Sequence, residues 1–523
     1  MRRILLIALL SLSVGTAHAA GEPRGREVVR LLDATRMAAA EAMLAKVPDD
    51  DEWKPLATAL LLFHQGDYPG AEAALPVPGS HEEEELAWLR PRIAAASFAT
   101  AGFVERREQN FLYRFPAGPE SILVDYAIDA LEGQRAAMAR VLGVAPERPV
   151  VIEFFGRLPD FVAASGLPAE WVETTNTVAI CKWDRMLVLS PMHMRRGYPW
   201  KDTIAHEYVH LIVSRASGNE APVWFQEGSA KVMESWWRKG PRPGDFELDP
   251  YSESMLATAK KDKSLIPFES MHPSMAALPS SDAAGLAFAE VATAIDFILG
   301  EVGEPGYRRV VEQTALHGDV MRAIDEVMGL HGGGFEKRWR RWLDAQPHQV
   351  RANVASIAQT LESGAGGETD PEGTELDPVL LAHRAMQDFT RLGDLLRTRG
   401  HLEAALVEYN KAAGAQTLHS PALANKQART LQALGRADFA RDLLKGSVDL
   451  YPEFTPTVTL LAELAWEGGD AKEAEIRAWQ AIGLNPFDPG PHVILAQIYA
   501  ASERATEAQR ENKVIELLTN RGW

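Results

Sequence analysis

The sequence predicts a mainly helical chain in which an α+β domain is followed by an all-α solenoid of helical hairpins. Three observations carry that reading. Alternating or continuous apolar runs bounded by turn residues are confined to positions 108 to 200. Ala-, Leu- and Glu-rich stretches with helical spacing occupy most of the remainder. Gly400, Gly435 and Gly469 recur at intervals of 35 and 34 residues, each followed five positions later by an alanine.

From the N-terminus, Arg2 and Arg3 precede an apolar run from Ile4 to Leu12 that is too short to span a bilayer. Ala17-His18-Ala19 is a small-x-small cleavage site, so residues 1–19 read as a secretory signal, with an uncleaved anchor as the alternative. No later segment is expected to cross a membrane. Residues 26–105 read as helices, with Gly66 followed by Ala71 as one weak match to a helical-hairpin repeat. Asn110 to Phe115 alternates and reads as a strand, Ile122 to Leu142 as a long amphipathic helix, and Pro149 to Phe155 as an apolar strand. Thr177–Cys181 and Arg185–Ser190 form a hairpin across Lys182-Trp183-Asp184. Residues 202–345 are mainly helical, with Asp202 as an N-cap, Gly218-Asn219 as a stop and Pro222 opening the next helix. Ser363 to Asp377 is Gly-, Glu- and Thr-rich and reads as a flexible linker, 363–377.

Beyond it, Ala405, Ala440, Ala474 and Ala508 follow the periodic position by five residues, and Gly393, Ala428, Ala462 and Ala496 precede it by seven. Glu503 continues the period where the fourth glycine would stand, and Pro452 and Pro486 separate the units. Small residues at fixed places let paired helices pack closely. Over residues 386–518 the pattern resembles the tetratricopeptide repeat, which implies a concave face for a partner protein or peptide.

With 523 residues the chain exceeds one domain. Its net charge of −18 excludes nucleic acid as the main partner and argues against docking on anionic lipid. Cys181 is the single cysteine, so no intrachain disulfide forms, and it reads as a small buried hydrophobe in a strand. Arg338-Trp339-Arg340-Arg341-Trp342 reads as a helix that turns its tryptophans inward.

The chemistry is concentrated in His206-Glu207-Tyr208-Val209-His210 and the later Trp224-Phe225-Gln226-Glu227-Gly228. Histidines four apart on a helix share one face, so both imidazoles reach one zinc ion. Glu207 lies beside them, placed to hold a water, and a carboxylate from a second helix leaves one coordination position open, as in catalytic zinc. Ile204, Val209, Leu211 and Ile212 make the helix apolar, and a buried helix does not carry two His and a Glu unless something pairs them. The bland alternative is an amphipathic helix with its polar residues in solvent.

These residues, with Trp224-x-x-Glu227-Gly228-x-Ala230, resemble the gluzincin metallopeptidases, and within them the peptidase MA-like domains that often carry tetratricopeptide repeats. The likeness covers about 108–345 and implies a zincin-like fold. It also implies zinc as cofactor, His206, His210 and Glu227 as ligands, and Glu207 as general base. It further implies a strand near the zinc helix that pairs with peptide backbone, either Val178–Cys181 or Met186–Ser190. Two positions depart from the family pattern. Lys231 stands where an acidic residue commonly orients a ligand His, leaving Glu234 or Asp202 to substitute. Phe288 stands where a later helix often carries a Tyr, leaving Tyr251, His193 or Tyr198 for oxyanion stabilisation.

Two function classes follow. One is a periplasmic or secreted zinc metallopeptidase that hydrolyses peptide or protein substrates, with the repeats recruiting a partner. The other is a zinc-binding scaffold with weakened catalysis. No acidic motif that would grip a substrate amine precedes the zinc helix, which favours an endopeptidase.

Overall fold

The computed structural model describes residues 24–76, 83–170, 172, 177–194, 197–240, 246–271, 275, 278–331, 334–355 and 372–519. The expected signal, 1–19, lies outside them. The chain is mainly helical with one small mixed sheet. It divides into two compact units, the first built from residues 1–190, 202–246 and 265–346, the second from 191–201, 247–264 and 347–523. The second thus takes two segments from within the stretch expected to form the α+β domain.

The first unit holds the sheet, in the order β1-β2-β3-β5-β4. β1 (Phe103–Glu108) and β2 (Phe111–Pro116) are an antiparallel hairpin. The helix Ser121–Leu142 crosses from β2 to its parallel neighbour β3 (Val150–Phe155). β5 (Arg185–Leu189) runs parallel to β3, and β4 (Ala179–Lys182) pairs antiparallel with β5. β3 and β5 are almost continuously apolar because neighbours cover them. β1 lies inside a stretch that reads as helix up to residue 105. Its sequence, FVERRE, is mostly exposed at the sheet edge, so it lacks the apolar alternation that marks a half-buried strand.

The β4–β5 turn places Trp183 and Asp184 at φ +56° and +60°, the two left-handed positions of a tight hairpin. A tryptophan is a costly occupant of that region. Here its ring stacks on buried His64 at 4.0 Å, with Lys182 Nζ 4.3 Å from its centroid. His64 ends the helix Lys54–His64, so the N-terminal helices grip the sheet at this turn. A buried cluster reinforces the grip. Arg185 of β5 ion-pairs with Glu153 of β3, Tyr68 Oη donates to Glu153 at 3.0 Å, and Arg185 donates to the Phe63 carbonyl at 3.1 Å.

Helices complete the unit. Trp200–Ala216 carries the His-Glu-His motif, and Val223–Met233 carries Glu227. Asp202 sits in the first turn of the motif helix rather than capping it; it accepts from Trp237 Nε1 at 2.9 Å and pairs with Arg238. After Ala216, Gly218 and Asn219 both take positive φ and stop the helix, and Pro222 caps the next. Among the described residues one helix, Ser281–His317, is long and apolar enough to cross a membrane by length and composition, which the sequence reading did not expect. In its most apolar window 67% of the residues are buried inside the protein, and it is kinked at Gly303, so it serves as the core helix of this unit. Of the tryptophans expected to turn inward, Trp339 is fully buried, 5.1 Å from Phe268, and Trp342 is partly buried.

The second unit contains four helical hairpins among its described residues: Arg384–Thr398 with Leu402–Gly414, Pro421–Ala433 with Ala437–Leu450, Thr455–Glu467 with Ala471–Leu484, and Pro489–Ala501 with Ala505–Thr519. Gly400, Gly435 and Gly469 sit in the connecting turns at φ +78°, +73° and +79°, and Glu503 takes φ +59° at the fourth. The glycine period therefore marks turns that need a left-handed residue. Ala405, Ala440 and Ala474 are fully buried. Of the expected linker, residues 363–371 lie outside the described residues, whereas Glu372 and Asp377 are buried against the hairpins and Thr374–Leu376 forms a 3₁₀ turn. Asp377 accepts from Leu380 and Ala422 backbone N–H groups and from Ser420 Oγ. Long-range partners, invisible in local composition, order this stretch.

Candidate metal centre

The motif helix and the helix Val223–Met233 bring His206, His210 and Glu227 together, with one donor atom from each lying within 4.8 Å of the others. The two Nε2 atoms are 3.1 Å apart, and Glu227 Oε2 lies 3.4 Å from that of His206 and 3.5 Å from that of His210. The rings stand at 78° to one another, so both edges converge on one point. Apolar neighbours set this geometry. On the reverse of the motif helix, Tyr208 packs edge-on against Phe111 of β2 at 5.8 Å. Gly228 lets the Glu227 helix approach the core helix so closely that a Cβ would lie 2.5 Å from the Val291 carbonyl oxygen. Tyr307 Oη donates to Ser229 Oγ at 2.6 Å and ties the same two helices together.

Each imidazole is held by its other nitrogen. His206 Nδ1 meets Glu234 Oε2 at 3.0 Å, and His210 Nδ1 meets Gln226 Oε1 at 3.4 Å. Gln226 in turn donates to Ser214 Oγ at 3.0 Å, which fixes its amide orientation. With both Nδ1–H groups donating outward, each Nε2 presents its lone pair to the shared point. Lys231, where the resemblance implies an acidic residue, ion-pairs at 2.7 Å with Glu234 Oε1. The orienting carboxylate is therefore supplied three residues later, and Asp202 is committed to Trp237 and Arg238.

Charge is concentrated here. Burial pulls the His206 pKa down, but hydrogen bonds and charge from Glu227 and Glu234 push it up to about 10. His210 also moves up, because the Glu227 carboxylate outweighs its burial. Burial would raise Glu227, but the two imidazoles hold it far below the usual carboxylate range. Glu207 is 7% exposed, and burial raises its pKa against the opposing pull of His210 and His206. Burial and, after it, the charge of Glu207 raise the Cys181 thiol, and the Cys181 backbone pulls Glu207 down, so edge strand β4 lies beside the motif helix.

The donor set fits zinc. Three atoms with these mutual spacings share a point about 2 Å from each, the length of zinc–nitrogen and zinc–oxygen bonds. Metal binding would displace the proton that the carboxylates favour on His206, and the resulting set of two neutral imidazoles and one carboxylate is catalytic rather than structural, since it leaves a position open. His206, His210 and Glu227 keep 17%, 16% and 24% of their side-chain exposure, so the point is reached from solvent.

The other expected contributors are placed differently. Tyr198 and Tyr251 belong to the second unit, and the His193 side chain lies outside the described residues. Phe288 is half-buried on the core helix and carries no hydroxyl. Of the two strands implied for peptide pairing, β5 is bonded on both sides by β3 and β4, whereas β4 is at the edge of the sheet among the described residues. The sequence reading did not assign Gln226 a role, although it stands next to Glu227. The approach of the Cys181 backbone to Glu207 depends on sheet geometry and has no local signal.

No curated relative matches the sequence. Among solved structures, yeast LTA4 hydrolase in complex with bestatin aligns over 80% of this chain and 67% of its own, with 10% identity and a TM-score of 0.30. Residues 130–345, which contain the motif helix, Glu227 and the core helix, match the model of the Peptidase MA superfamily, a match that supports a metallopeptidase.

Proposed function

We propose that this chain is a zinc-dependent peptidase in which His206, His210 and Glu227 hold the metal and Glu207 is the general base. One observation carries this reading: the two Nε2 atoms and the Glu227 oxygen converge while Glu234 and Gln226 hold the Nδ1 atoms. Zinc bound there supplies a Lewis acid that polarises a peptide carbonyl and lowers the pKa of water. Glu207 accepts the proton of the attacking water and passes it to the leaving amine. Its burial and raised pKa suit that exchange, with the Cys181 backbone beside its carboxylate. The outer edge of β4, which no other strand pairs among the described residues, pairs with the extended backbone of the substrate, as sheet edges do with peptides. No acidic motif to grip an α-amine precedes the motif helix in the sequence, which favours an endopeptidase. Residues 1–19 direct the chain to the periplasm or outside the cell, and the hairpins over 386–518 act as tetratricopeptide repeats that bind a partner or substrate.

The alternative, a zinc-binding scaffold with weakened catalysis, draws on Phe288, which offers no hydroxyl. Elemental analysis and turnover separate the readings. About one zinc per chain in wild type and little in His210→Ala is expected. Glu207→Gln should keep the metal and lose roughly 10²–10⁴-fold in peptide hydrolysis. A metal-free wild type after zinc reloading defeats both readings, and a fully active Glu207→Gln defeats the enzyme alone.

A further inference from the structure

The second unit holds a cluster of charged side chains that the zinc reading does not use. Arg397 forms a two-pronged ion pair with Glu372, its Nη2 3.0 Å from Oε2. Lys426 Nζ lies 2.9 Å from the same Oε2 and also contacts Asp394 at 3.1 and 3.3 Å. Lys426 and Glu372 are 5% and 7% exposed. Burial alone would raise the Glu372 pKa, but Arg397 and Lys426 hold it down, so it binds as a carboxylate. The next group along the chain is read too, because Asn425 Nδ2 donates to the Glu372 carbonyl at 3.0 Å. Thr457 Oγ1 donates to Asn425 Oδ1 at 2.8 Å, so the amide already faces the right way. Gly373, at φ +72°, lies so close to Phe454 that a Cβ would come within 2.5 Å of the ring.

These contacts come from the first helices of three successive hairpins: Asp394 and Arg397 from Arg384–Thr398, Asn425 and Lys426 from Pro421–Ala433, and Thr457 from Thr455–Glu467. They form a surface that does not depend on its occupant. Asp394 positions Lys426, Tyr409 Oη donates to Asp394 at 2.7 Å, and Thr457 positions Asn425. Without Glu372, the trio Arg397, Lys426 and Asp394 carries net positive charge. That is a site for a carboxylate followed by a peptide carbonyl and a residue without a side chain.

We propose that Arg397, Asn425 and Lys426 form a recognition site for extended acidic peptides of the Glu-Gly type, and that the chain's own Glu372–Asp377 segment occupies it in cis as a tethered competitor. An acidic segment of a partner protein binds by displacing that strap. The inference deepens the partner-binding role proposed for the hairpins and is independent of catalysis.

The test uses the full chain and a fluorescein-labelled peptide, Thr369-Asp370-Pro371-Glu372-Gly373-Thr374-Glu375-Leu376, read by fluorescence anisotropy. Glu372→Ala, which empties the carboxylate site, should bind the peptide saturably and at least tenfold more tightly than wild type. Replacing the peptide's Glu372 with Gln, or adding Arg397→Ala to the protein, should weaken binding at least tenfold. Gly373→Ala, whose Cβ dislodges the strap with the site intact, should behave like Glu372→Ala. Both variants are checked for cooperative unfolding. Folded variants that bind no peptide, or bind the Gln peptide equally well, overturn the proposal. So does equal binding by wild type, or failure of both variants to fold, which would make the segment an integral cap. Zinc content and turnover are unaffected by these outcomes, so failure here leaves the peptidase reading standing.

Discussion

His206 owes its value as a ligand to a residue that does not touch the metal point. Glu234 accepts from its Nδ1 and is itself steadied by Lys231. Partners of this kind fix the tautomer and typically change metal affinity by about 10–100-fold. Glu234→Ala should therefore lower zinc affinity in that range, read by competition with a chelating dye, while Asp202→Ala leaves it near wild type. A second buried acid behaves differently. Glu290 is fully buried and accepts the Ile266 N–H at 2.9 Å, and burial pushes its pKa up to about 8. Between about pH 4.5 and 8 the unfolded carboxyl is ionised while the folded one keeps its proton. The folded state then binds more protons, so stability falls as pH rises through this window and levels off above 8, by at most about 5 kcal/mol. Glu290→Gln removes the ionisation and keeps the acceptor. Urea unfolding at pH 5.5, 7 and 8.5 should show the variant gaining on wild type as pH rises; a constant difference would contradict the assignment.

At the scale of elements, the site is two helices pressed together and one strand laid beside them. Gly228 sets the first contact. A Cβ there would meet Val291 O at 2.5 Å and Ile295 Cγ1 at 2.7 Å, so Gly228→Ala must push the Glu227 helix away from the core helix. Overpacking of this kind costs about 1–3 kcal/mol. We expect Gly228→Ala to lower the unfolding midpoint and to weaken zinc binding together, because Glu227 moves with its backbone. Loss of stability with unchanged zinc affinity would mean that the helix yields elsewhere. The strand is held from its far end. Trp183 stacks on His64, and the Arg185–Glu153–Tyr68 cluster joins β5 and β3 to the N-terminal helices. Residues 26–105, which read as a repeat-like helical region, thus buttress the hairpin whose first strand lies beside Glu207.

For the whole molecule, metal and fold are coupled in the first unit. A ligand that binds only the folded state stabilises it by RT ln(1 + [L]/Kd), about 2.7 kcal/mol at a hundredfold excess over Kd. Calorimetry after chelation should show a lowered, zinc-restorable transition in wild type and no zinc response in His206→Ala. The transition of the helical hairpins should stay in place, since no ligand residue lies in the second unit.

The sequence by itself determined what depends on short separations. Helical periodicity places His206, Glu207 and His210 on one turn, and the glycine period marks each hairpin turn where a left-handed residue is required. Tertiary structure alone decided what depends on distant residues meeting. It chose Glu234 over Asp202 as the His206 partner, because Asp202 is taken by Trp237 and Arg238. It set the Cys181 backbone beside Glu207 through sheet register, and placed β4 rather than β5 at the edge of the sheet among the described residues. It hid β1, whose polar sequence carries no apolar alternation, and it buried Glu372–Asp377, whose local composition reads as linker while its partners lie up to 54 residues away. Periodicity reports the face a residue presents; only the packed chain determines what meets that face.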